Sequence, residues 1–461
     1  MINRRDFLGS MLSTVVVAGT VGFPRFSLAA SGSDDPYDYV LTAEPADISL
    51  VPGGVTHALC FDGGYPAPII RGRQGKTLRI LFKNRLNEPT TIHWHGLRIP
   101  IEMDGVPFLS QPPIAAGEDF LYEFVPPDAG TFWYHPHVNS MIQLGKGLVG
   151  AIIIDEAEAV DFDHEEVLLL KNWHVNEDGS FSEFTSPRNA ARMGTPGRWE
   201  TVNGQHKPTF PVPANALTRI RLLNVDNTLI YNIAIPDHSA WVVAIDGSPV
   251  NEPYPLQVHP MGPGMRLDLA VVTPAAGESV RIKNAKGRLM FDLVDFQVEA
   301  SAFKRQAGPV KSLPANPIPK PDLGHAETVN FVFEWEGAIS PADKDGNSDP
   351  KFWTINRRAW DKMTADYIPD PVARLTLGKS YIFNLRNNTP NSHPIHLHGF
   401  IWIVLNSNKK DIVPFHTDTV LLEKNETVQV AFVADNPGRW MYHCHVIEHM
   451  KTGLMGYIEV A

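Results

Sequence analysis

The chain has 461 residues, a formal net charge of −11 and 43% hydrophobic residues. At roughly 150 residues per domain this length predicts about three domains, and a charged fraction of only 20% excludes a disordered chain. No basic patch stands out, so we expect no nucleic-acid partner. The 35 glycines, 39 prolines and only two cysteines favour a β-rich, turn-rich protein that no disulfide framework stabilises.

The first 30 residues have the features of a bacterial twin-arginine export signal. Arg4 and Arg5 precede an apolar stretch over residues 11–23, and small residues follow at Ala29 and Ala30. This stretch is too short to cross a bilayer, and no later apolar run is long enough, so we expect no membrane span. The sequence therefore predicts a signal peptide over 1–30, export by the twin-arginine machinery, and a periplasmic or secreted bacterial protein.

Two parts of the mature chain repeat each other. Residues 130–137 (GTFWYHPH) align with residues 438–445 (GRWMYHCH), and HWHG at 93–96 corresponds to HLHG at 396–399. The strand pattern before each HxHG motif recurs around Ile220 without histidines. An acidic segment near 155–166 and a proline-rich segment at 309–321 are candidate linkers. Together with the repeats, they predict three homologous units, 31–157, 158–308 and 309–461. Period-two patterns and scarce helical patterns predict that each unit is an antiparallel Greek-key β-sandwich.

Histidines carry the strongest chemical signal. In a strand, residues i and i+2 point to the same face, so an H-x-H pair presents two imidazoles to one side. One such pair is weak evidence, but four pairs repeated by duplication indicate a site for closely spaced metals. The eight imidazoles are those of His93, His95, His135, His137, His396, His398, His443 and His445.

The middle residue of the last pair is Cys444, and its thiol points away from the eight imidazoles. His393 and His449 remain to join it, and two histidines with one cysteine are the ligand set of a blue-copper centre. A competing interpretation is the inverted zinc-peptidase signature, which residues 445–449 (HVIEH) fit. That signature requires a helix and leaves the other histidine clusters unexplained.

With these motifs, the sequence resembles the three-domain multicopper oxidases, the family of laccases and bacterial cuprous oxidases. The motifs HWHG, YHPH, HPIHLHG and HCHVIEH occur in order along the whole mature chain. The resemblance implies cupredoxin-like domains, the middle one without copper ligands, and four coppers per chain. It implies a type 2 copper on His93 and His396, and a type 1 copper on His393, Cys444 and His449. It also implies a type 3 pair on His95, His135, His137, His398, His443 and His445.

The resemblance further implies that single electrons enter at the type 1 copper and that dioxygen is reduced to water at the three-copper cluster. Asp104 matches the family's acid near the type 2 copper and is expected to supply protons. A second acid of bacterial relatives is replaced here by Met450, and Glu448 is not expected to substitute for it. Leu454 holds the place of an axial methionine, so we expect no axial ligand there unless Met455 reaches the metal by a register shift.

The substrate follows less directly from the sequence. The twelve methionines are scattered, and the lack of a methionine-rich insert favours phenolic reductants and a laccase-like enzyme. The alternative is a periplasmic cuprous oxidase that acts on Cu(I) in copper tolerance. Asp418 is expected near the type 1 site, either accepting a hydrogen bond from a phenol, helping to hold a metal, or simply starting a strand. An electron carrier with one copper and a copper-free structural relative are the other classes considered.

Overall fold

The computed structural model describes residues 36–336, 351–360 and 363–461. The predicted signal peptide over 1–30 lies outside these residues. The predicted all-β class is confirmed, since the described chain forms six sheets and only short helices. None of the helices in these ranges has the length and apolar character needed to cross a membrane. The helical segments are a 3-10 turn at Ile101–Met103 and the helices α1 Ser140–Gly145, α2 Pro187–Ala190 and α3 Ile447–Lys451.

The first two sheets contain residues 39–155. Their strands are β1 Tyr39–Ile48, β2 Thr56–Phe61, β3 Ile70–Arg73, β4 Leu78–Asn84, β5 His93–His95, β6 Asp119–Phe124, β7 Gly130–His135 and β8 Gly150–Asp155. They pair in the orders β2-β1-β4-β6 and β3-β8-β7-β5. Side chains of both sheets, such as Ile80 and Phe132, share one buried cluster, so the two sheets form a sandwich.

The next two sheets contain residues 164–299. Their strands are β9 His164–Trp173, β10 Trp199–Val202, β11 Thr209–Pro213, β12 Leu217–Asn224, β13 Tyr231–Ala234, β14 Ala240–Ile245, β15 Ser248–Pro255, β16 His259–Met261, β17 Arg266–Val272, β18 Ser279–Lys286 and β19 Leu289–Glu299. The orders are β10-β9-β12-β17-β14-β15 and β11-β19-β18-β13-β16. Ile220 and Phe296 belong to the shared core of this second sandwich.

The last two sheets contain residues 327–460. Their strands are β20 Glu327–Trp335, β21 Trp353–Ile355, β22 Ala373–Leu375, β23 Ser380–Asn387, β24 His393–Leu397, β25 Trp402–Ser407, β26 Phe415–Thr417, β27 Thr419–Leu422, β28 Thr427–Val433, β29 Gly438–Cys444 and β30 Met455–Val460. The orders are β21-β20-β23-β28-β25-β26 and β22-β30-β29-β24-β27. Phe383 and Tyr442 lie in the core between them.

The three sandwiches share one pairing pattern. The strands β4, β12 and β23, which carry the repeated sequence pattern, each pair in parallel with the first strand of their unit, β1, β9 or β20. Each also pairs antiparallel with a later strand, β6, β17 or β28. The tandem three-sandwich fold is thereby confirmed, while the unit limits at 157/158 and 308/309 stay predictions. The expectation of antiparallel sheets is wrong, because each sandwich also contains parallel pairs, which a period-two pattern does not distinguish from antiparallel ones.

Candidate metal centres

The four H-x-H pairs lie at the ends of four strands from the first and last units. Strands β5 and β7 place His93 opposite His135, and strands β24 and β29 place His396 opposite His443 in the equivalent register. His398 and His445 follow directly after β24 and β29, His95 is the last residue of β5, and His137 lies two residues beyond the end of β7. Duplicated pairing therefore presents the imidazoles of the first unit to those of the last.

The structure brings all eight of these imidazoles together, and we call them the histidine cluster. His443 joins through its Nε2 atom, which lies 3.2 Å from Nε2 of His398. The other seven form three overlapping groups whose ligand atoms lie within 4.8 Å of one another, namely His93–His137–His398, His93–His95–His396 and His95–His135–His445. All eight residues are buried.

Cys444 forms a separate group with His393 and His449, which we call the cysteine site. Its Sγ atom lies 3.6 Å from Nδ1 of each histidine, and the two Nδ1 atoms are 3.1 Å apart. The outer Nε2 atom of His393 lies 2.8 Å from the Thr389 hydroxyl, and that of His449 donates to the Arg192 carbonyl at 2.7 Å. These outer contacts direct both Nδ1 atoms at the sulfur.

The middle unit contributes no side chain to these four groups in the described ranges, but it covers both sites. A Cβ atom on Gly264, whose φ is +89°, would lie 2.8 Å from Cδ2 of His445, so a glycine is needed for this close approach. At the cysteine site, the Arg192 carbonyl caps His449 and the Ala190 carbonyl accepts from the indole of Trp353 at 2.8 Å. Sequence reasoning missed these contacts because they use backbone atoms.

Asp104 lies against the histidine cluster, as predicted from its motif. Its Oδ2 atom is 3.0 Å from Nδ1 of His398, and its backbone carbonyl is 2.8 Å from Nδ1 of His93. The following Gly105 has φ +77°, and a Cβ there would lie 1.7 Å from the Ile92 carbonyl. This turn therefore requires glycine and fixes the Asp104 carboxylate behind two imidazoles.

The predicted contact between Asp418 and a phenol is wrong, because the carboxylate is fully buried behind the histidine cluster. Its Oδ1 atom lies 3.2 Å from Nε2 of His95, and its backbone carbonyl lies 2.9 Å from Nδ1 of His396. Arg266, which sequence reasoning missed, donates to both carboxylate oxygens at 3.0 and 2.5 Å. Burial alone would raise the pKa of Asp418, but Arg266 outweighs it and holds that pKa well below its usual range.

Glu448 and His449 do not form a peptidase site. Helix α3 includes Glu448 and His449, while His445 precedes the helix and belongs to the histidine cluster. The Glu448 carboxylate accepts from the hydroxyls of Thr185 at 2.6 Å and Thr195 at 2.8 Å. Glu448 therefore connects α3 to the middle unit. This agrees with the expectation that Glu448 does not take the place of the second acid that bacterial relatives have.

Met450 faces a small cavity of about 100 Å³ beside His137. Three further methionines, Met363, Met441 and Met455, also line this cavity, and its described lining holds no carboxylate. Leu454 instead packs in the core that contains Cys444, whereas Met455 packs in a different one. The register shift that would bring Met455 to the cysteine site is therefore not seen.

Comparison with known proteins agrees with this geometry. Three family models described as multicopper oxidase match residues 44–159, 164–280 and 335–461. The crystal structure of a multi-copper oxidase from Pseudomonas thermotolerans is 48% identical, with a TM-score of 0.85 over 92% of this chain and 98% of that one. The chain belongs to the multicopper oxidase family.

Relatives of this multicopper oxidase carry different functional names. Laccase-2 of Botryotinia fuckeliana is 28% identical over 92% of this chain and 82% of its own length. Copper resistance protein A of Escherichia coli is 25% identical over 99% of both chains. Family membership implies copper binding by an oxidoreductase.

The residues of both sites fit copper. Among the residues that the structure describes, buried nitrogens of six cluster histidines find no hydrogen-bond partner, namely Nε2 of His93, His135, His137 and His396, Nδ1 of His95 and both nitrogens of His445. Buried polar atoms are normally paired, so these nitrogens point to a missing ligand.

Burial lowers the pKa of His443 and of His449 to about 3, which keeps these rings in the neutral form that metals bind. Burial also raises the pKa of the Cys444 thiol, so metal binding must displace its proton.

Proposed function

We propose that this multicopper oxidase is a laccase-like enzyme that takes single electrons from phenolic reductants and reduces dioxygen to water. The observation that carries the proposal is the run His443-Cys444-His445. Its cysteine belongs to the cysteine site and its two histidines belong to the histidine cluster. Covalent bonds alone therefore join the site that would accept electrons to the site that would use them.

We assign four coppers to the two sites. His393, Cys444 and His449 would hold a type 1 copper, and His93 and His396 a type 2 copper. The type 3 pair would be held by His95, His135, His137, His398, His443 and His445. Copper bound in these sites supplies single-electron transfer and the reduction of dioxygen.

The reaction balances in electrons and protons. Each phenol loses one electron and its hydroxyl proton, and four such oxidations supply the four electrons that convert dioxygen to two waters. Four protons are consumed with them, and the Asp104 carboxylate, 3.0 Å from the His398 ring, is placed to hold one beside the histidine cluster. Cys444 and the capped rings of His393 and His449 fix the geometry of the electron-accepting site.

Phenols are favoured over Cu(I) because the four methionines that meet in one cavity, Met363, Met441, Met450 and Met455, lie beside His137 rather than at the cysteine site. The twelve methionines form no methionine-rich insert, and thioethers are the side chains that suit Cu(I). The alternative, a periplasmic cuprous oxidase, is supported by the similarity to a protein named for copper resistance.

Metal content and oxygen uptake test the proposal together. We expect about four coppers per chain, and oxygen uptake with a phenol in buffer without added copper, in a ratio of four phenols to one dioxygen. A strict need for added Cu(II) would instead support the cuprous oxidase. One copper per chain would support an electron carrier, and none would support a structural protein.

We also propose that the protein is exported by the twin-arginine route. The support is the Arg4-Arg5 pair before a short apolar stretch. Replacing both arginines by lysine should leave the protein in the cytoplasm, as measured by cell fractionation. Unchanged export of this variant would contradict the proposal.

A further inference from the structure

A cavity of about 670 Å³ opens beside the cysteine site, between the middle and last units. One wall is the segment 187–193, which includes helix α2. The other wall comes from the last unit and includes the end of β20. We call this cavity the α2 pocket. Its described lining includes Arg188, Arg192, Met193, Trp335 and Phe352.

The α2 pocket adjoins the cysteine site through two of its lining residues. The Arg192 carbonyl accepts the hydrogen bond from Nε2 of His449 at 2.7 Å. Phe352 is followed by Trp353, whose ring centroid lies 4.5 Å from that of His449 and 4.9 Å from that of His393. Arg192 therefore belongs both to the pocket lining and to the hydrogen bond that holds a candidate copper ligand.

The pocket combines an aromatic surface with positive charge. Trp335 is 49% exposed and Met193 is 43% exposed, and both present apolar surface to the cavity. Arg188 and Arg192 are also exposed, and within the described part of the chain neither guanidinium forms an ion pair. None of the described lining residues is acidic, although the whole chain carries a net charge of −11.

We propose that the α2 pocket binds aromatic reductants that carry an anionic substituent, a carboxylate or a sulfonate. The ring would pack on Trp335, and the anion would pair with the guanidinium groups of Arg188 and Arg192, since guanidinium matches carboxylate geometry. This inference names the substrate class and rests on the proposed function. The oxidation balances as above, with dioxygen as the final oxidant.

Binding without turnover is the first test. Calorimetry with the copper-loaded protein at low ionic strength would compare 4-methoxybenzoate with 4-methoxybenzamide, which have no phenolic hydroxyl and differ in charge. We expect the benzoate to bind about tenfold more tightly, since two exposed ion pairs contribute modestly. The preference should shrink as salt is added. Equal affinities for the two compounds would overturn the inference.

Substitutions test whether Arg188 and Arg192 cause the preference for the benzoate over the benzamide. Arg188→Gln with Arg192→Gln should abolish the preference, and the Arg192 carbonyl that caps His449 is retained in this variant. Arg288→Gln removes another exposed arginine of the middle unit, far along the chain in the turn between β18 and β19, and should leave the preference intact. Because Arg288→Gln removes one charge and the double variant removes two, a loss in Arg288→Gln about half as large as that in the double variant would show a general charge effect and overturn the pocket assignment.

Turnover separates this inference from the function on which it rests. The ratio kcat/KM for 4-hydroxycinnamate over its methyl ester should exceed one in the wild type and approach one in the double variant. Equal oxidation of acid and ester by the wild type would overturn the pocket inference and leave the oxidase standing. Selective binding of the benzoate without oxidation of either phenol would overturn the proposed function.

Discussion

Arg266 of the middle unit and Asp418 of the last unit form a fully buried ion pair directly behind the histidine cluster. Their closest nitrogen–oxygen distance is 2.5 Å, and the same carboxylate lies 3.2 Å from Nε2 of His95. Removing one partner of a buried pair leaves an uncompensated charge. The position of the His95 ring is therefore coupled to the packing of two units.

We expect Arg266→Gln to lower the free energy of unfolding by about 3–5 kcal/mol, measured by urea denaturation. Arg281→Gln is the control, because its pair with Asp295 is 3.7 Å long and partly exposed, and should cost about 0–1 kcal/mol. Adding Asp418→Asn to Arg266→Gln should recover part of the loss, since the two sites interact. Equal losses for the two arginine variants would contradict the role of the buried pair.

The histidine cluster was predictable because a two-residue period is a strong local rule. The rule placed the imidazoles of each H-x-H pair on one face and Cys444 on the other, and duplication extended it to the last unit. The resemblance located Asp104, which lies in a turn that glycine enforces. Local patterns therefore predicted which side chains meet, even across the boundary between units.

The contributions of the middle unit were not predictable in the same way. The Arg192 carbonyl at His449 and the backbone of Gly264 at His445 involve groups that every residue has. Asp418 was assigned to the wrong site because its partner, Arg266, is far away in sequence. The signal available was Arg266 itself, a charged residue at the start of a mostly apolar strand whose one other charged residue is Asp268, since a buried charge requires a partner.

Cys444→Ser should remove the blue copper–thiolate absorption and nearly all oxygen uptake, while the circular dichroism of the β-fold is kept. The thiolate would be a ligand at the cysteine site, and its sulfur begins the covalent path through the Cys444 backbone to His443 and His445. Cys60→Ser is the matched control, because Cys60 is also buried but belongs to none of the metal groups. A blue Cys444→Ser protein would show that the type 1 copper lies elsewhere.

Asp104→Asn should slow the reoxidation of the reduced protein by dioxygen, by up to about a hundredfold, while reduction by a phenol proceeds at the wild-type rate. The amide oxygen still accepts a hydrogen bond from His398, so the ring keeps its orientation but the proton carrier is lost. Stopped-flow measurement of the two half-reactions, with copper content checked, decides the point. Equal slowing of both would indicate a structural role.

Asp246 should make stability depend on pH. Burial raises its pKa to about 7 from an ordinary value of 3.8, although Arg266 acts in the opposite direction. Between these values the folded protein holds a proton that the unfolded chain has lost, so this group's contribution to stability falls as pH rises from about 4 to 7. In Asp246→Asn this fall should be absent, and its Tm relative to wild type should rise over that range. If the Tm values of the two proteins changed with pH in parallel, the raised pKa of Asp246 would be contradicted.

Leu454 should set a high reduction potential at the cysteine site. The Leu454 side chain packs in the same core as Cys444 and cannot donate to a metal, so a copper held at the cysteine site would lack the donor that a thioether there would supply. The axial ligand tunes blue-copper potentials, and Leu454→Met should therefore lower the potential in a redox titration while the blue band remains. Met455→Leu is the matched control and should change nothing, because Met455 packs in a separate core. A raised potential in Met455→Leu, with no change in Leu454→Met, would make Met455 the axial ligand instead.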